Sequence, residues 1–302
     1  MATFRGTNVP DFLVIGAMKC ATTTLHQDLV KHPSICCGEK ELNALTAVEL
    51  QPAMQKYQRN FRNAESHQLL GDVSTHYSMR QEYPHVADHA KLALGPELKL
   101  IYLVREPISR ALSHHQHMMN VADSSGMGPD VNLEIRKSPL PIDYSCYASQ
   151  LEPWLEHYDL SHFHVVKFED YVSDRQNTLR GVFNFLGVEA IEIEIEPEGA
   201  NRGNNRMASG KLTSKIMATK IFQRIIKPCL PVFIMPFIRR VFLKKAELST
   251  ITPTEDTIGL IFDGVKEDAR KLQELLNLDA PLWDLESVKL KYISSNSNNE
   301  RK

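Results

Sequence analysis

The sequence contains little cysteine and has no strong compositional bias. Cysteine accounts for only five of the 302 residues, while hydrophobic residues make up 42 % and charged residues 24 %. These values lie near the average for globular proteins, which excludes the collagen-like, disordered and disulfide-scaffold classes. A chain of this length buries about three quarters of the surface that its unfolded form exposes, so a stable core needs no disulfides.

An excess of charge of one sign is also absent. The chain has 35 basic and 37 acidic residues, which gives a formal net charge of −2. No overall positive field therefore attracts nucleic acid or anionic lipid. We expect no nucleic-acid partner, and we expect any anion-binding site to be local.

The cysteines lack the spacing of metal or redox sites. Neither the adjacent Cys36 and Cys37 nor the other three cysteines form a C-x-x-C pair. Buried, reduced thiols are the usual state of such residues. We therefore expect neither a disulfide framework nor a metal centre.

Long apolar segments are missing as well. Residues 1–10 have no apolar stretch, and the run Phe12–Ile15 is too short for a signal peptide, which predicts a cytoplasmic protein. The most apolar later stretch, 228–238, contains three prolines and is about half of a membrane span, so we expect no stable membrane insertion. The basic, apolar segment 215–245 leaves contact with a membrane surface or an apolar substrate open.

A strand, a loop and a helix follow one another three times along the chain. Because strands that alternate with helices favour a parallel sheet covered on both faces, the sequence predicts an α/β, P-loop-like fold. Ligands of such sheets bind at the carboxyl ends of the strands. The three predicted units are Phe12–Ile15 with 22–31, Leu98–Val104 with Pro107 to about Asn120, and His162–Phe168 with Arg175–Leu186, closed by Gly187.

The remaining segments complete a single domain over residues 1–293, followed by a disordered polar tail, 294–302. Further helices are predicted at 44–62, 83–94 and 144–158, a strand at Leu69–Val73, and loops at 121–141 and 201–205. A long final helix is predicted from Thr252 as N-cap and Pro253 at its first position to about Leu276.

The turn after the first strand, Gly16–Thr24, has the composition of an anion site. Unpaired N–H groups and the dipole of a helix N-terminus favour phosphate or sulfate, and Lys19 adds a positive charge. The alternative is that the threonines only cap the helix and Lys19 is solvated. A Walker A loop needs a second glycine and a Gly-Lys pair, and both are missing here, which weakens the NTPase interpretation.

The turn after the strand Leu98–Val104 ends in a cation. Arg105 follows the strand at once, and Ser113 lies eight residues further on, two turns into the next helix. Arginine offers a planar fork that suits phosphate, and serine adds a donor. A phosphate-transferring NTPase more often places a magnesium-binding Asp on such a strand, and Asp72 is the one candidate for that role.

These motifs together resemble those of the sulfotransferases that use 3′-phosphoadenosine 5′-phosphosulfate (PAPS). The resemblance is strongest to the branch with bacterial and heparan-sulfate-type enzymes, and it covers nearly the whole chain. It implies a sulfotransferase fold. The matching segments are the lysine-threonine loop, Leu100–Pro107 with Ser113, Gly71–Ser74, Tyr147–Leu155, Val165–Asp170, and Leu275–Asp279 with Trp283.

The resemblance implies a role for each matching residue. Lys19 and Thr22–Thr24 bind the 5′-phosphosulfate, and Lys19 also steadies the bridging oxygen that leaves the sulfuryl group. Arg105 and Ser113 bind the 3′-phosphate, and Ser113 is counted with Lys19 among the catalytic residues. The chain departs from the family at Ala21, where glycine is usual, and at Val73, where heparan-sulfate enzymes carry a lysine; the second difference weakens the case for a polysaccharide acceptor. The implied nucleotide-binding residues are Lys19, Cys20, Ala21, Thr22, Thr23, Thr24, Arg105, Ser113, Tyr147, Arg202 and Arg206.

Transfer also requires a base, because the acceptor loses a proton as it attacks sulfur. Glu41, in Lys40-Glu41-Leu42, matches the lysine-glutamate element that heparan-sulfate-type enzymes carry after the first helix, and it is the preferred candidate. The histidines beside Ser113 are an alternative, since histidine suits proton transfer near neutral pH. They are His114, His115 and His117. Their spacing does not make a zinc site.

The predicted activity is transfer of the sulfuryl group from PAPS to a hydroxyl or amine of a small-molecule or carbohydrate acceptor, with release of PAP and no metal. Two alternatives remain open at this stage: a P-loop nucleotide kinase and a module that binds PAP or another nucleotide without catalysis. The identity of the acceptor and the oligomeric state also stay open.

Overall fold

The computed structural model describes residues 8–120, 128, 130–195, 207–209, 243–245 and 252–299. The chain divides into two compact units, Met1–Ile193 with Ile251–Lys302, and Glu194–Thr250. The sequence analysis predicted a single domain over 1–293 and did not separate this second unit, since no change in composition marks the two ends of the unit. Its described residues form an antiparallel pair of strands, Met207–Ser209 and Leu243–Lys245.

The first unit is built on a sheet of five parallel strands in the order β2-β3-β1-β4-β5. The first strand of the chain lies at the centre, and the chain moves to one side of it and then to the other. This order confirms the predicted α/β fold, and in open sheets of this kind the ligand crevice lies outside the carboxyl ends of the strands, here next to β1. The strands are β1 Phe12–Gly16, β2 Ile35–Cys37, β3 Leu69–Val73, β4 Lys99–Val104 and β5 Phe163–Lys167.

Burial explains why the two central strands read as continuous apolar runs. All of β1 is buried, and so is β4 from Leu100 to Val104. Strands covered by helices on both faces lose the alternation that one-sided sheets show. The edge strand β2 has only three residues, which is too short for a sequence pattern, and it was not predicted.

Helices cover both faces of the sheet. They are α1 Thr22–Leu29, α2 Leu50–Asn60, α3 Val86–Leu94, α4 Pro107–Asn120, α5 Val131–Lys137, α6 Leu140–Asp143, α7 Tyr147–Leu155, α8 Phe168–Ser173, α9 Arg175–Leu186, α10 Glu255–Leu275 and α11 Leu285–Asn299. Short 3₁₀ turns lie at Ala44–Thr46, Thr75–Ser78 and Leu160–His162.

Two helix starts differ from the prediction because a side-chain cap decides each of them. The segment 121–141, predicted as a loop, contains α5, whose N-cap Asp130 accepts a hydrogen bond from the Asn132 N–H at 2.9 Å. Helix α10 begins after Thr254, which accepts from the Thr257 N–H. The prediction of Thr252 as its N-cap was therefore wrong by two residues.

The last helix, α11, extends to Asn299. The polar tail predicted from Ser294 therefore starts within a helix, because polar residues can prolong helical hydrogen bonding that earlier turns have nucleated. No helix in the described part of the chain is long and apolar enough to span a membrane.

A buried carboxylate, Asp28, joins helix α1 to helices α8 and α9. Asp28 is fully buried, and Arg175 at the start of α9 donates to it from Nε at 2.7 Å and from Nη2 at 2.5 Å. The hydroxyl of Tyr171 in α8 donates to the same carboxylate. These bonds fix the direction of the helix whose N-terminus faces the crevice.

We expect Arg175→Met to lower the free energy of unfolding by about 2 to 3 kcal/mol, because it leaves the buried Asp28 charge without its main partner. This value lies toward the low end for buried pairs because the Arg175 side chain keeps 21 % exposure. Urea denaturation measures the change. Arg270→Met, which breaks two solvent-exposed ion pairs on α10, with Glu267 and Glu274, is the matched control and should leave stability unchanged. Equal losses in both variants would contradict the anchoring role of Asp28.

Candidate active site

The loop between β1 and α1 opens the helix N-terminus toward the crevice. Lys19 and Ala21 both adopt left-handed backbone conformations, with φ of 74° and 68°. The first helical hydrogen bond runs from the Leu25 N–H to the Ala21 carbonyl, so the N–H groups of Thr22–Thr24 have no partner within the helix. No side chain caps this end. The threonines therefore do not serve merely as caps, and the loop can receive an anion.

Close packing and strain shape this loop. A Cβ atom on Gly16 would lie 2.2 Å from Ser78 Oγ, so only glycine fits where β1 ends. Ala21 occupies the left-handed region, which costs a residue with a Cβ about 1 to 2 kcal/mol. The glycine that the sequence resemblance leads one to expect at position 21 would adopt this conformation without that cost.

Arg105 touches the loop directly. Its Nη1 donates to the Lys19 carbonyl at 3.3 Å, and its guanidinium lies 4.6 Å from the centre of the Phe168 ring. The hydroxyl of Tyr147 accepts from the Arg105 N–H and donates to the Arg105 carbonyl at 2.7 Å. Tyr147 is only 1 % exposed, so it lies beneath Arg105 and not on the surface that a nucleotide could touch. Its hydroxyl holds the Arg105 backbone in place.

Arg110 supports the loop from below, and the sequence analysis did not single it out. Its side chain is fully buried under the loop, and its Nε donates to the Met18 carbonyl at 3.1 Å. Nη1 donates to the Pro141 carbonyl and to Ser145 Oγ, while Nη2 lies 2.9 Å from His114 Nδ1. None of these partners is acidic. The signal in the sequence was a lone arginine among apolar residues of an amphipathic helix.

The other predicted loop residues differ in what they can offer a ligand. Cys20 is buried, its N–H donates to the Ala17 carbonyl at 3.2 Å, and burial raises the pKa of its thiol to about 11. Thr22 is buried, whereas Thr23 is exposed and Thr24 half-buried. Ser113 is half-buried on α4. Arg202 and Arg206, which were predicted to bind the nucleotide, lie outside the described residues.

Glu41 lies at the end of the neighbouring strands, in a cluster with Lys40, Thr75 and His76. Its N–H donates to the Val73 carbonyl at 2.9 Å, which holds it beside the carboxyl end of β3. Its carboxylate accepts from the Thr75 N–H at 2.9 Å, from Thr75 Oγ at 3.0 Å and from Lys40 Nζ. Burial alone would raise the pKa of Glu41, but the adjacent His76 ring, whose Nδ1 lies 3.5 Å from the carboxylate, the charge and hydrogen bond of Lys40 and the Thr75 N–H lower it to about 2.

The histidines of α4 fit proton transfer poorly. His114 and His115 are buried, and the Nε2 of His115 bonds to the Gly128 carbonyl at 3.0 Å. Burial first, and then the charge of Arg110, lower the pKa of His114 to about 3. His117, four residues after Ser113 and therefore on the same helix face, is half-buried. Of the three candidates, two are thus enclosed.

Asp72 is enclosed by hydroxyl groups. It accepts from Ser74 Oγ at 2.6 Å, Tyr77 Oη at 2.5 Å and Tyr57 Oη at 3.0 Å, and it is fully buried. Burial raises its pKa. A carboxylate held in this way has little capacity left for a magnesium ion, which removes the main support for a kinase. Within the described ranges, no three His, Cys, Asp or Glu side chains are grouped as a metal site.

We expect stability to fall on acidification partly through His114. Its pKa is about 3 in the folded protein and 6.5 in the reference state, so below about pH 6.5 the unfolded chain gains a proton that the folded chain does not. Between about pH 7.5 and pH 5 this lowers the free energy of unfolding by about 2 kcal/mol. His114→Asn keeps an acceptor for Arg110 and should lose that part of the slope in urea denaturation. Identical slopes would show that His114 takes up its proton in the folded protein as well.

Comparison with known proteins gives a consistent family. A family model described as "Sulfotransferase family" matches residues 10–192. Mouse heparan sulfate glucosamine 3-O-sulfotransferase 3B1 is 26 % identical over 194 residues, which cover 61 % of this chain and 47 % of that protein. Human heparan sulfate glucosamine 3-O-sulfotransferase 6 is 26 % identical over 189 residues, which cover 60 % of this chain and 53 % of that protein. The chain thus spans about half the length of the curated relatives it matches.

A solved structure shares the fold. The crystal structure of a sulfotransferase from Alicyclobacillus acidocaldarius aligns with a TM-score of 0.51 and 23 % identity, over 63 % of this chain and 87 % of that one. The family match covers more than half of the chain and includes β1 to β5. On this evidence, the chain belongs to the sulfotransferase family.

Proposed function

We propose that this chain transfers the sulfuryl group of PAPS to a hydroxyl or amine of a carbohydrate or small-molecule acceptor and releases PAP. The observation that carries the proposal is the left-handed loop before α1, whose open N-terminus is combined with Arg105 in a chain of the sulfotransferase family. Both ends of PAPS carry anionic groups, and a helix N-terminus with two cations suits them.

In this proposal each cation serves one end of the nucleotide. Lys19 and the N–H groups of Thr22–Thr24 hold the 5′-phosphosulfate, with the hydroxyls of Thr23 and Thr24 as further donors. Arg105 and Ser113 hold the 3′-phosphate. Tyr147 acts on the nucleotide only through Arg105, and Arg202 with Arg206 remains a prediction. No step requires a metal ion.

The chemistry follows from where charge develops. As the acceptor oxygen or nitrogen bonds to sulfur, the bond from sulfur to the bridging oxygen of PAPS breaks, and negative charge grows on that oxygen. Lys19 and the helix N-terminus stabilise this charge more than they stabilise the ground state, which lowers the barrier. The acceptor's proton leaves toward the cluster around Glu41.

The class of acceptor is supported by the relatives only in outline. The printed names of the curated relatives specify heparan sulfate glucosamine as their substrate, which favours a carbohydrate hydroxyl. At Val73, however, the chain has a buried apolar residue where the resemblance leads one to expect a lysine, which favours a smaller acceptor. The cytoplasmic location stays a prediction.

We expect the protein to bind PAP without magnesium, because its own cations supply the countercharge. Arg105→Ala should weaken PAP binding about tenfold to a hundredfold, as expected for the loss of a charge-assisted bond to phosphate. Titration calorimetry in EDTA measures both affinities. Arg136→Ala, which removes an exposed arginine on α5, should leave PAP affinity unchanged. Binding of ATP with magnesium but not of PAP would instead identify a kinase.

We expect Lys19→Ala to lower turnover by about a hundredfold or more and PAP affinity by much less, because the lysine faces charge that grows only during reaction. The measurement is transfer of label from radiolabelled PAPS to the macromolecular and small-molecule fractions of a cell extract. Wild-type protein that binds PAP but transfers no label to any fraction would identify a non-catalytic binding module. Near-normal turnover in Lys19→Ala would remove the lysine from the mechanism.

A further inference from the structure

Trp283 is one of the two tryptophans of the chain, and it lies in the segment that joins α10 to α11. The family model ends at residue 192, so its match does not reach this residue. The indole is half-buried, and its Nε1–H donates to Glu169 Oε2 at 3.0 Å. Its ring also packs on the ring of Tyr147, with centres 5.9 Å apart and planes tilted by 42°. Trp283 thus contacts two side chains that hold the same short stretch of backbone.

That stretch is the backbone at Arg105 and the residue after it. The Tyr147 hydroxyl accepts from the Arg105 N–H at 3.1 Å and donates to the Arg105 carbonyl at 2.7 Å. The Glu169 carboxylate accepts from the Glu106 N–H at 2.9 Å through Oε1 and from Trp283 through Oε2. Because each oxygen of Glu169 has its own donor, the carboxylate is fixed in orientation.

The same elements orient the Arg105 side chain. Phe168, next to Glu169 at the start of α8, lies beneath the guanidinium, with 4.6 Å between Arg105 Cζ and the ring centre. The Glu106 carboxylate accepts at 2.7 Å from each of two N–H groups in the first turn of α4. The place of Glu169 therefore determines where β4 ends, where α4 begins and how Arg105 stands between them.

A change at Trp283 should act on Arg105 more than on the rest of the site. In the described part of the chain, the hydrogen bond and the ring contact of Trp283 both lead to groups that hold Arg105. Neither of them leads to the N–H groups of Thr22–Thr24. The two ends of a bound nucleotide should therefore respond differently when the indole is altered.

We propose that Trp283 is a positioning residue for recognition of the 3′-phosphate, because it holds Glu169 and Tyr147 where they fix Arg105. This inference rests on the function proposed above, in which Arg105 binds that phosphate. It gives the segment between α10 and α11 a part in distinguishing PAP from adenosine 5′-phosphate (AMP), which is the same nucleotide without the 3′-phosphate. An arginine that is held in place before the ligand arrives loses less conformational freedom on binding.

The first test is Trp283→Phe, which keeps an aromatic ring against Tyr147 and removes the donor to Glu169. We expect affinity for PAP to fall about threefold to tenfold, as for the loss of one hydrogen bond to a charged group. Affinity for AMP should stay within about twofold of wild type. Titration calorimetry in EDTA measures both affinities. Their ratio is the readout, because a general loss of structure would weaken the binding of both nucleotides alike.

The second tryptophan supplies the matched control. Trp154 on α7 is 1 % exposed, and its Nε1 donates to the Tyr77 carbonyl at 3.3 Å, on the turn after β3. Trp154→Phe therefore makes the same chemical change at a more deeply buried position. We expect it to lower the free energy of unfolding in urea and to leave the ratio of PAP affinity to AMP affinity at its wild-type value.

A second substitution tests the route through the carboxylate. Glu169→Gln leaves one oxygen to accept from two donors, so it should also lower PAP affinity and spare AMP affinity. When it is combined with Trp283→Phe, that oxygen has only the Glu106 N–H to accept from. The double variant should therefore bind PAP no more weakly than the weaker of the two single variants. Additive losses would show that the two residues act separately and would overturn the proposal.

Equal losses of PAP and AMP affinity in Trp283→Phe, or no loss of either, would overturn the proposal while leaving the proposed function intact. Wild-type protein that binds PAP no more tightly than AMP would instead refute the 3′-phosphate site of the proposed function, and this inference with it.

Discussion

The buried guanidinium of Arg110 is the interaction on which the site depends most. A charge taken out of water costs several kcal/mol unless hydrogen bonds replace its hydration. Here the replacements are carbonyls and a hydroxyl from two separate segments, Met18 in the loop after β1 and Pro141 with Ser145 in the segment before α7. Satisfying one side chain therefore locks the anion loop, the turn before α7 and helix α4 into one arrangement. These hydrogen bonds also hold the positive charge of the Arg110 guanidinium directly below the loop.

Two polar groups of the site follow different strands. The cations Lys19 and Arg105 follow β1 and β4, whereas the Glu41 cluster and the enclosed Asp72 belong to the β2 and β3 side. The two sides meet where the Ser74 N–H donates to the Val14 carbonyl at 3.1 Å. Strand pairing thus sets the distance between the loop after β1 and the Glu41 cluster.

The sequence analysis predicted correctly those elements whose structure is determined by neighbouring residues in the chain. The apolar run of β4 and the helix after Pro107 are short-range features, and so is the lysine-threonine loop with its helix N-terminus. The sequence analysis missed the N-caps Asp130 and Thr254, which set the starts of two helices. At Thr254 a distant side chain contributes, because Asn132 Oδ1 accepts from the Thr254 N–H at 2.7 Å. A three-residue edge strand such as β2 has too few side chains to show a period.

The same distinction applies to the residues of the candidate site. The loop residues were found because they are contiguous, whereas the partners of Glu41 are 34 and 35 positions away, at Thr75 and His76. Only the parallel pairing of β2 with β3 brings these segments together. The sequence motif around Glu41 therefore suggested a base. The groups that surround the Glu41 carboxylate in the fold determine how strongly this carboxylate holds a proton. The hydrogen bonds from Lys40 and Thr75 hold the Glu41 carboxylate in place beside the carboxyl end of β3.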